Sequence, residues 1–509
     1  MLLHDLFAEA LKNTPDKEAI IFKGRSTSYR ELYDLMNRSA RALLSLGIVR
    51  GDRVAIFMEN RVELVELYFA CFRICAIAVP LNHRYQTDEV IYAVNHCGAK
   101  VLIADGSLFP RAEGIKDSVQ SLQGIYVFGD EPTNMENSWS RILKNLPENA
   151  EWPLVQENDP AMILYTSGST NKPKGVTHTH GSIFHTASSR KISQCLTEED
   201  VSLAATAICH AGASIGVTFP TLYAGGTVVI LEKTDPVLFL EALIKHRPTR
   251  TVILPAQLLD AVEHPQAQSV DFNCLKEVEC GGDQISHDLY EHFNKVAGYE
   301  LNQLYGLTEC EGACINPPFG LIKRGSIGKP REGVEIRLVN PDGKDVPDGE
   351  IGEILIKSAS VMIGYWNDPE NTKKTFLDGW LRTGDLGRRD EDGYHHFNGR
   401  IKEVIIKGGS NVAPGEVEEV IDDHPDVIIS GVVGTPDPRY GQLIHAFIEL
   451  KPGLENPPGE KELSAYAAKR LAAYKVPDRW TFVEELPRNE VGKIDRRGLH
   501  ALAAKLDSK

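Results

Sequence analysis

The sequence predicts an α/β protein with parallel sheets covered by helices, and two features lead to this prediction. From the N-terminus to about residue 280, apolar runs of strand length alternate with segments of helical period. Between residues 333 and 398 the pattern changes to short strands separated by turn residues. We therefore expect a large N-terminal domain at 1–400, a small β-rich subdomain within it at about 333–398, and an α+β C-terminal domain at 401–509.

The first part of the chain supplies the alternation of helices and strands. Helical periodicity predicts an amphipathic helix near the N-terminus and further helices over 28–46 and 61–74. Short apolar runs that fit buried strands lie at 53–58, 77–80, 101–104, 228–231 and 251–254. This order is typical of a mostly parallel sheet with helical crossovers.

The later elements are shorter and more mixed. Strand patterns at 334–339 and 353–357 are separated by turn sequences such as Asn340-Pro341-Asp342-Gly343. In the last part, the pattern predicts helices near 415–421 and 461–474 and strands at 427–433 and 446–450.

Composition and charge exclude several classes of protein. The chain has 42% hydrophobic and 25% charged residues, which is typical of a globular protein. Its formal net charge of −16 argues against a general nucleic-acid surface or an anionic membrane anchor. No apolar run is long enough to span a bilayer, and the nine cysteines show no CxxC pair. We expect a cytoplasmic protein with reduced cysteines and no stable membrane insertion.

The segment from Tyr165 to Gly175, YTSGSTNKPKG, has the composition of a polyphosphate-binding loop. It follows the apolar run at 161–164, and Gly168 lets the backbone approach an anion while hydroxyls, amides and two lysines face it. It is not a Walker loop, because no Gly-Lys-Ser/Thr follows Gly168 at the required distance. A solvated Ser/Gly linker has the same composition, so the loop alone leaves both interpretations open.

Four further stretches decide between them. They are YGLTE (305–309), WLRTGDLG (380–387), GRIKEVIIKGGSNVAPGEVE (399–418) and LPRNEVGKI (486–494). Together with the loop, and in this order, they resemble the motifs of the adenylate-forming superfamily of acyl- and aryl-CoA synthetases. The resemblance extends from about Phe22 to Arg497 and implies a two-step reaction: a carboxylate attacks the α-phosphate of ATP, and a thiol then displaces AMP.

The resemblance implies a nucleotide site assembled from several motifs. The phosphate loop would hold the β- and γ-phosphates through Thr166, Ser167, Gly168, Ser169, Thr170 and Lys174. Asn171 departs from the glycine that is usual in the family. Adenine would lie on Gly281, Gly282 and Asp283, and the ribose would bind Asp385 and Arg400. The remaining wall of the nucleotide site would be formed by Gln303, Leu304 and Tyr305.

Catalysis is expected from three residues. Lys493, in the stretch NEVGKI, matches the lysine that bridges the attacking carboxylate and the α-phosphate. Glu309 matches the Mg²⁺ ligand, Thr308 lies beside the α-phosphate, and Thr166 is a second expected metal ligand. One carboxylate suffices for Mg²⁺, because this cation keeps several waters and phosphate oxygens as ligands.

The resemblance also implies a mobile C-terminal domain for the second step. Its hinge would be Lys402, two residues after Arg400. Rotation would bring Gly408, Gly409 and Asn411 to the tunnel that admits the pantetheine arm of coenzyme A.

The carboxylic acid is the least determined substrate. The family's acyl pocket maps to His210, Gly212, Ala213, Cys280, Gly306 and Cys310. Small side chains at several of these positions indicate a roomy pocket that admits a fatty or aromatic acid. Cys209 replaces an aromatic residue that is frequent before the histidine, and Glu311 would select a polar or amine-bearing acid if it pointed inward, although such a carboxylate more often faces solvent.

The sequence therefore predicts an AMP-forming acid:CoA ligase, a monomer or homodimer that uses ATP, Mg²⁺ and coenzyme A. Two alternatives remain open at this point. One is a stand-alone adenylation enzyme that loads a separate carrier protein. The other is a non-catalytic nucleotide-binding regulator on the same fold, since fold alone does not fix function.

Overall fold

The computed structural model describes residues 1–128, 137–144, 146, 150–166, 172–282, 285–317, 320–407, 410–489 and 493–507. Several residues predicted for the site lie outside this part of the chain: Ser167, Gly168, Ser169, Thr170, Asp283, Gly408 and Gly409. The side chain of Asn411 is likewise not described.

The strands of the N-terminal part are β1 (Glu18–Phe22), β2 (Arg25–Ser28), β3 (Arg53–Phe57), β4 (Ile77–Pro80), β5 (Val101–Asp105), β6 (Gly124–Phe128), β7 (Pro160–Thr166), β8 (Lys174–Thr179), β9 (Val201–Ala204), β10 (Thr227–Ile230), β11 (Arg250–Ile253), β12 (Glu277–Gly281), β13 (Asn302–Leu307), β14 (Cys310–Ile315) and β15 (Lys329–Pro330). The later strands are β16 (Val334–Val339), β17 (Gly352–Ser358), β18 (Gly364–Tyr365), β19 (Phe376–Leu377), β20 (Trp380–Arg389), β21 (His395–Arg400), β22 (Ile405–Lys407), β23 (Ser410–Val412), β24 (Val427–Asp437), β25 (Gly441–Leu450) and β26 (Arg479–Val483).

The helices are α1 (Ala8–Asn13), α2 (Tyr29–Ser45), α3 (Val62–Arg73), α4 (Thr87–Cys97), α5 (Trp139–Ile142), α6 (His180–Ser193), α7 (Ala211–Ala213), α8 (Phe219–Ala224), α9 (Pro236–His246), α10 (Pro255–Glu263), α11 (His287–Ala297), α12 (Pro369–Thr375), α13 (Pro414–Asp422), α14 (Glu460–Ala468) and α15 (Arg496–Asp507). A short π-helix, Ser214–Thr218, joins α7 to α8. Among the described residues, no helix combines the length and the apolar character needed to cross a membrane.

Two large sheets form the N-terminal domain. The first has nine strands in the order β15-β14-β13-β12-β11-β9-β10-β1-β2, and the second has seven in the order β18-β8-β7-β4-β3-β5-β6. The central neighbours pair in parallel, and β4 and β10 are buried along their whole length, as expected when helices cover both faces. Helices α2, α3 and α6 supply side chains to the hydrophobic core between the two sheets.

A smaller antiparallel sheet follows in the chain. Its order is β16-β17-β20-β19, and β21 pairs with β20. Leu338, Ile354, Ile356 and Leu381 from this sheet share a hydrophobic cluster with Tyr305 of the nine-stranded sheet. The end of β13 is therefore held between the two layers.

The C-terminal domain is a separate sheet with helices on both faces. Its order is β23-β22-β25-β24, with β26 parallel to β25. Cluster residues from α13 and α14 pack on one face and those from α15 on the other. The Lys451 ammonium lies 2.6 Å from Oδ1 of Asp288 in α11, so an ion pair joins this domain to the N-terminal domain.

The predicted α/β class, with its parallel sheets and its two domains, is confirmed. One predicted element is wrong at its end: the helix expected over 461–474 stops at Ala468. The chain then turns and continues as a short 3₁₀ turn, Ala473–Lys475, in which the Lys475 ammonium pairs with Glu416. Tertiary contacts thus override helix propensity in the last turn and a half.

Candidate active site

The candidate site lies at the carboxyl ends of parallel strands in the nine-stranded sheet. His210 follows β9, Leu254 follows β11, Gly282 follows β12, and Thr308 and Glu309 follow β13. Strands that run in parallel end at the same edge, so residues far apart in sequence meet there, as ligand sites of open α/β sheets usually do.

The predicted phosphate loop connects two antiparallel strands. Thr166 ends β7, Lys174 begins β8, and the two residues are paired. The chain thus continues from the loop into a strand and not into a helix, which agrees with the absence of a Walker pattern. The Lys174 ammonium lies 4.5 Å from the centre of the Tyr365 ring.

Glu309 is held by a tyrosine that the sequence analysis did not single out. The Tyr365 hydroxyl donates to Oε1 of Glu309 at 2.7 Å, and the Met362 amide donates to its backbone carbonyl at 2.8 Å. Within the described residues, the structure gives Oε2 of Glu309 no hydrogen-bond partner. Nothing in the sequence around Tyr365 indicates this contact, because it joins positions 56 residues apart.

His178 fixes the backbone next to Glu309. Its Nε2 donates to the Thr308 carbonyl at 2.8 Å, and its Nδ1 lies 3.2 Å from Oγ of Ser182. Burial lowers the pKa of His178 to about 4, although the hydrogen bond to Thr308 opposes this shift. The imidazole is therefore neutral at physiological pH, with its proton on Nε2.

Asp385 and Arg400 lie opposite each other on β20 and β21. Arg400 Nε is 3.1 Å from Oδ1 of Asp385, and the Tyr305 hydroxyl donates to Oδ2 at 2.7 Å. Burial raises the pKa of Asp385, while Arg400 and Tyr305 act in the opposite direction. Asp385 is buried, whereas the Arg400 side chain remains largely exposed.

Lys493 reaches this site from the C-terminal domain. A β-bridge between Arg488 and Ile494 and the bond from the Asn489 amide to the Lys493 carbonyl close the turn that carries Lys493. A Cβ atom placed on Gly282 would lie 3.8 Å from both Cε and Nζ of Lys493. Gly282 has a φ of +86°, so the backbone favours glycine there, and Lys493 lies at van der Waals distance from it.

The charge of Lys493 also acts on His210. Burial, together with the charges of Lys493 and Arg84, lowers the pKa of His210 to about 4. A neutral imidazole beside an ammonium group leaves the local charge positive, which favours an anionic ligand. The predicted nucleotide and acyl residues thus meet around Lys493.

The other predicted nucleotide and hinge residues lie around this centre. Gln303 accepts a hydrogen bond from the Tyr290 hydroxyl at 3.0 Å, and Leu304 is buried with its carbonyl against Gly281. Lys402 is exposed within a short 3₁₀ turn, Ile401–Glu403, and Asn411 is in β23.

The predicted acyl-pocket residues divide into two groups. Gly212 faces open space, Ala213 lies beside it in α7, and Gly306 packs against the backbone of β14. Cys280 and Cys310 lie elsewhere. Cys280 belongs to the hydrophobic cluster under α10 and α11, and Cys310 to the cluster between β14 and the small sheet.

This placement of Cys280 and Cys310 corrects the prediction for both. Side chains alternate between the two faces of a strand, so when Glu279 and Gly281 face the helices α6 and α7, Cys280 points to the opposite face. Residues beside a pocket glycine in sequence need not line the pocket.

Glu311 is buried and paired, which excludes the interpretation in which it faces solvent and leaves the one in which it points inward. Its two oxygens accept bonds from Nε and Nη2 of the buried Arg190 at 2.9 and 2.8 Å. Burial by itself lowers the pKa of Arg190, but the neighbouring Glu279 and Glu311 raise it by more than burial lowers it. The guanidinium therefore stays charged. Arg190, in the middle of α6, gave no signal in the sequence.

Comparison with known proteins identifies the family. The family model described as AMP-binding enzyme matches residues 7–366, and the one described as AMP-binding enzyme C-terminal domain matches residues 416–493. The chain is 33% identical over 497 residues to an indoleacetate–CoA ligase of Aromatoleum aromaticum, covering 96% of each chain. The chain belongs to the AMP-binding enzyme family.

Two further relatives agree with this membership. A fatty acid–[acyl-carrier-protein] ligase, ScoC of Streptomyces coeruleorubidus, is 32% identical over 503 residues, with 96% of this chain and 94% of ScoC covered. The structure of ATP-bound MatB from Rhodopseudomonas palustris is 30% identical, with a TM-score of 0.90 over 99% of this chain and all of MatB (100%). The predicted adenylate-forming superfamily is confirmed, and the protein is an AMP-forming acid–thiol ligase.

The buried His178 makes a stability prediction. Its pKa is about 4 in the folded protein and near 6.5 when unfolded, so the unfolded chain binds more protons between these values. Stability from this residue is fully present above pH 6.5 and is lost as the pH falls toward 4. When the pH is lowered from 7 to 4.5, the free energy of unfolding should therefore fall by about 2 kcal/mol less in His178→Gln than in the native ligase.

Thermal unfolding at the two pH values measures this difference as a change in Tm. His185→Gln is the control, because His185 lies close by in the chain, in helix α6 directly after β8, but is exposed. If His178→Gln and the control lose Tm equally with acid, the buried imidazole is not neutral.

Proposed function

We propose that the ligase activates a carboxylic acid with ATP and then passes the acyl group to coenzyme A. In the first step the carboxylate attacks the α-phosphate, giving an acyl-adenylate and pyrophosphate. In the second step the thiol attacks the acyl carbon and AMP leaves. The observation that carries the proposal is the position of Lys493, which stands beside Gly282 and His210 at the edge where the predicted nucleotide residues meet.

Charge is the main obstacle to the first step, because a carboxylate must approach a polyphosphate. Preorganised cations lower such a barrier most when they point at charge that develops in the transition state. Lys174 comes from the phosphate loop, Arg400 from β21, and Lys493 from the C-terminal domain. Three cations from separate elements thus surround the reacting groups in a protein whose net charge is −16.

We assign the ribose to Asp385. A carboxylate accepts two hydroxyl donors, and Tyr305 and Arg400 fix its two oxygens in place. Burial raises the pKa of Asp385, and Arg400 and Tyr305 oppose this shift, so these two residues favour the ionised form that accepts these bonds.

We assign Mg²⁺ to Glu309, with Thr166 as a second ligand. Tyr365 occupies one oxygen of Glu309 and orients the carboxylate, which leaves the other oxygen for a cation. Among the described residues there is no group of three or more His, Cys, Asp or Glu side chains that could hold a metal ion by itself. This fits a metal that takes most of its ligands from phosphate oxygens and water. When bound, Mg²⁺ would neutralise charge on the phosphates.

The second step requires Lys493 to leave the site. We propose a rotation of the C-terminal domain about Lys402, which is exposed between β21 and β22. A rotation of this kind needs only a few residues that absorb the change in φ and ψ. Lys451 and Asp288 would separate during it, since they belong to different domains.

The identity of the thiol rests on the relatives. One of them is named as a CoA ligase and another as an acyl-carrier-protein ligase, and both match nearly the whole chain. We propose coenzyme A as the acceptor and keep a carrier protein as the second candidate. The cytoplasmic location and the monomeric or homodimeric state stay predictions.

Following AMP release from ATP with a panel of acids, with and without CoA, tests the function. The panel runs from acetate to palmitate and includes benzoate and cinnamate types. CoA-dependent AMP release supports the proposal, and adenylate that accumulates despite CoA indicates a carrier-protein ligase. ATP binding without AMP release would indicate that the protein is a non-catalytic regulator.

Lys493→Ala separates the two steps. We expect adenylation to slow by about a hundredfold or more, because one preorganised electrostatic donor is lost. ATP affinity should change little, since Asp385 and the phosphate loop remain. The thioester step, measured from supplied acyl-adenylate and CoA, should stay near the native rate. Equal losses in both half-reactions would mean that Lys493 only supports the domain.

Lys451→Met tests whether the described orientation is the adenylating one. The Lys451–Asp288 pair is partly buried, so its loss should slow adenylation by about threefold. The thioester step should be unaffected or faster, because the pair opposes rotation. Lys461→Met, at an exposed lysine of α14, is the control. A slower thioester step in Lys451→Met alone would contradict this orientation.

A further inference from the structure

A buried group of charges lies behind the acyl-pocket residues. We call it the Arg190 cluster: Arg190, Gln194, Glu279 and Glu311. Besides its two bonds to Glu311, Arg190 donates from Nη1 to Glu279 at 2.8 Å, and the Gln194 amide also donates to Glu279. The cluster joins α6 to β12 and β14, and its bonds hold the Glu311 carboxylate in one orientation.

Glu311 is the most exposed member of the ion pairs. The Glu311 side chain is 7% exposed, whereas Glu279 is 1% and Arg190 is 0% exposed. A small cavity lined in part by Gly216, Gln194 and Glu279 adjoins the cluster, so side chains do not fill all the space beside it.

One helical segment connects the reacting end of the site to Glu311. It begins after His210, which lies near Lys493, and passes Gly212, where a Cβ atom would meet nothing within 4 Å. At Gly216, a Cβ atom would lie 2.5 Å from Oε1 of Glu311. Gly212 and Gly216 are four residues apart, which is about 6 Å along a helix. Glu311 therefore packs on this segment one helical turn from the open side of Gly212, a distance comparable to the length of one ring.

We propose that Glu311 is a specificity-determining residue at the far end of the acyl pocket. Its carboxylate, positioned by Arg190, accepts a hydrogen bond from a hydroxyl or amino group on the remote end of a compact aromatic acid. This inference rests on the proposed function and narrows its substrate class.

The balance of charge selects the kind of donor. The guanidinium of Arg331 also touches this region, donating from Nη2 to the Glu311 backbone carbonyl at 2.9 Å. The Arg190 cluster has one guanidinium and two carboxylates, and the guanidinium of Arg331 beside it balances the second carboxylate. A neutral phenol or arylamine donor matches it. An alkyl chain would cover the carboxylate without offering it a hydrogen bond, which costs binding energy.

The native ligase tests the inference directly. The values of kcat/KM are compared for 4-hydroxybenzoate and 4-hydroxycinnamate, for benzoate and cinnamate, and for palmitate. We expect the hydroxylated acids to exceed their unsubstituted partners by about tenfold or more, with palmitate lowest. Equal values within each pair, or palmitate as the best substrate, would overturn the inference while leaving the proposed function intact. Failure of every acid would instead count against the proposed function.

Two variants separate recognition from stability. Glu311→Gln should reduce the preference for the hydroxylated acid to within about twofold, because a carboxylate acceptor is replaced by an amide that must also satisfy Arg190. Glu279→Gln breaks the same cluster without changing the ligand-facing group, so it should lower Tm but keep the preference. If both variants alter the preference equally, or neither does, Glu311 does not contact the acid. If Glu311→Gln does not fold, the panel with the native ligase still decides.

Discussion

The position of one ammonium group, that of Lys493, determines what the rest of this structure can do. It is carried by a turn of the C-terminal domain and stands against Gly282 of the N-terminal domain, beside the neutral His210. The carboxyl ends of the parallel strands supply the surface that it meets, and the Lys451–Asp288 pair helps to hold the two domains in this arrangement. A cation that must act in one step and leave before the next cannot be fixed in the sheet itself, which accounts for its place on a separate domain.

The other strongly constrained charge is Arg190, which has no exposed surface. A buried guanidinium costs free energy unless its donors are satisfied, and breaking one of its pairs would leave an uncompensated charge. The structure satisfies it with two carboxylates from β12 and β14, the strands on either side of β13 in one sheet. The same bonds that stabilise the interior orient Glu311 toward the acyl residues. Core packing and substrate selection therefore depend on one set of hydrogen bonds.

The sequence predicted the fold class and the residues of the motifs, because these depend on local periodicity and on the short patterns of a family. It did not predict the contacts that join distant residues. Arg190 and Glu311 are 121 residues apart, and neither is in a recognisable pattern with the other. The resemblance places Cys280 and Cys310 in the acyl pocket, but a match of motifs does not give the face of the strand on which a side chain lies. Alternation along β12 would have separated Cys280 from Gly281.

The central claim is that this site joins a carboxylate oxygen to the α-phosphate of ATP. The most direct measurement uses the best acid of the panel, labelled with ¹⁸O in both carboxylate oxygens, with ATP and CoA, and determines by mass spectrometry where the label goes. Attack on the α-phosphate predicts one ¹⁸O in the AMP that is released and none in pyrophosphate, because the bridging oxygen stays on phosphorus when the thiol takes the acyl group. AMP without label, or label in pyrophosphate or inorganic phosphate, would contradict the account.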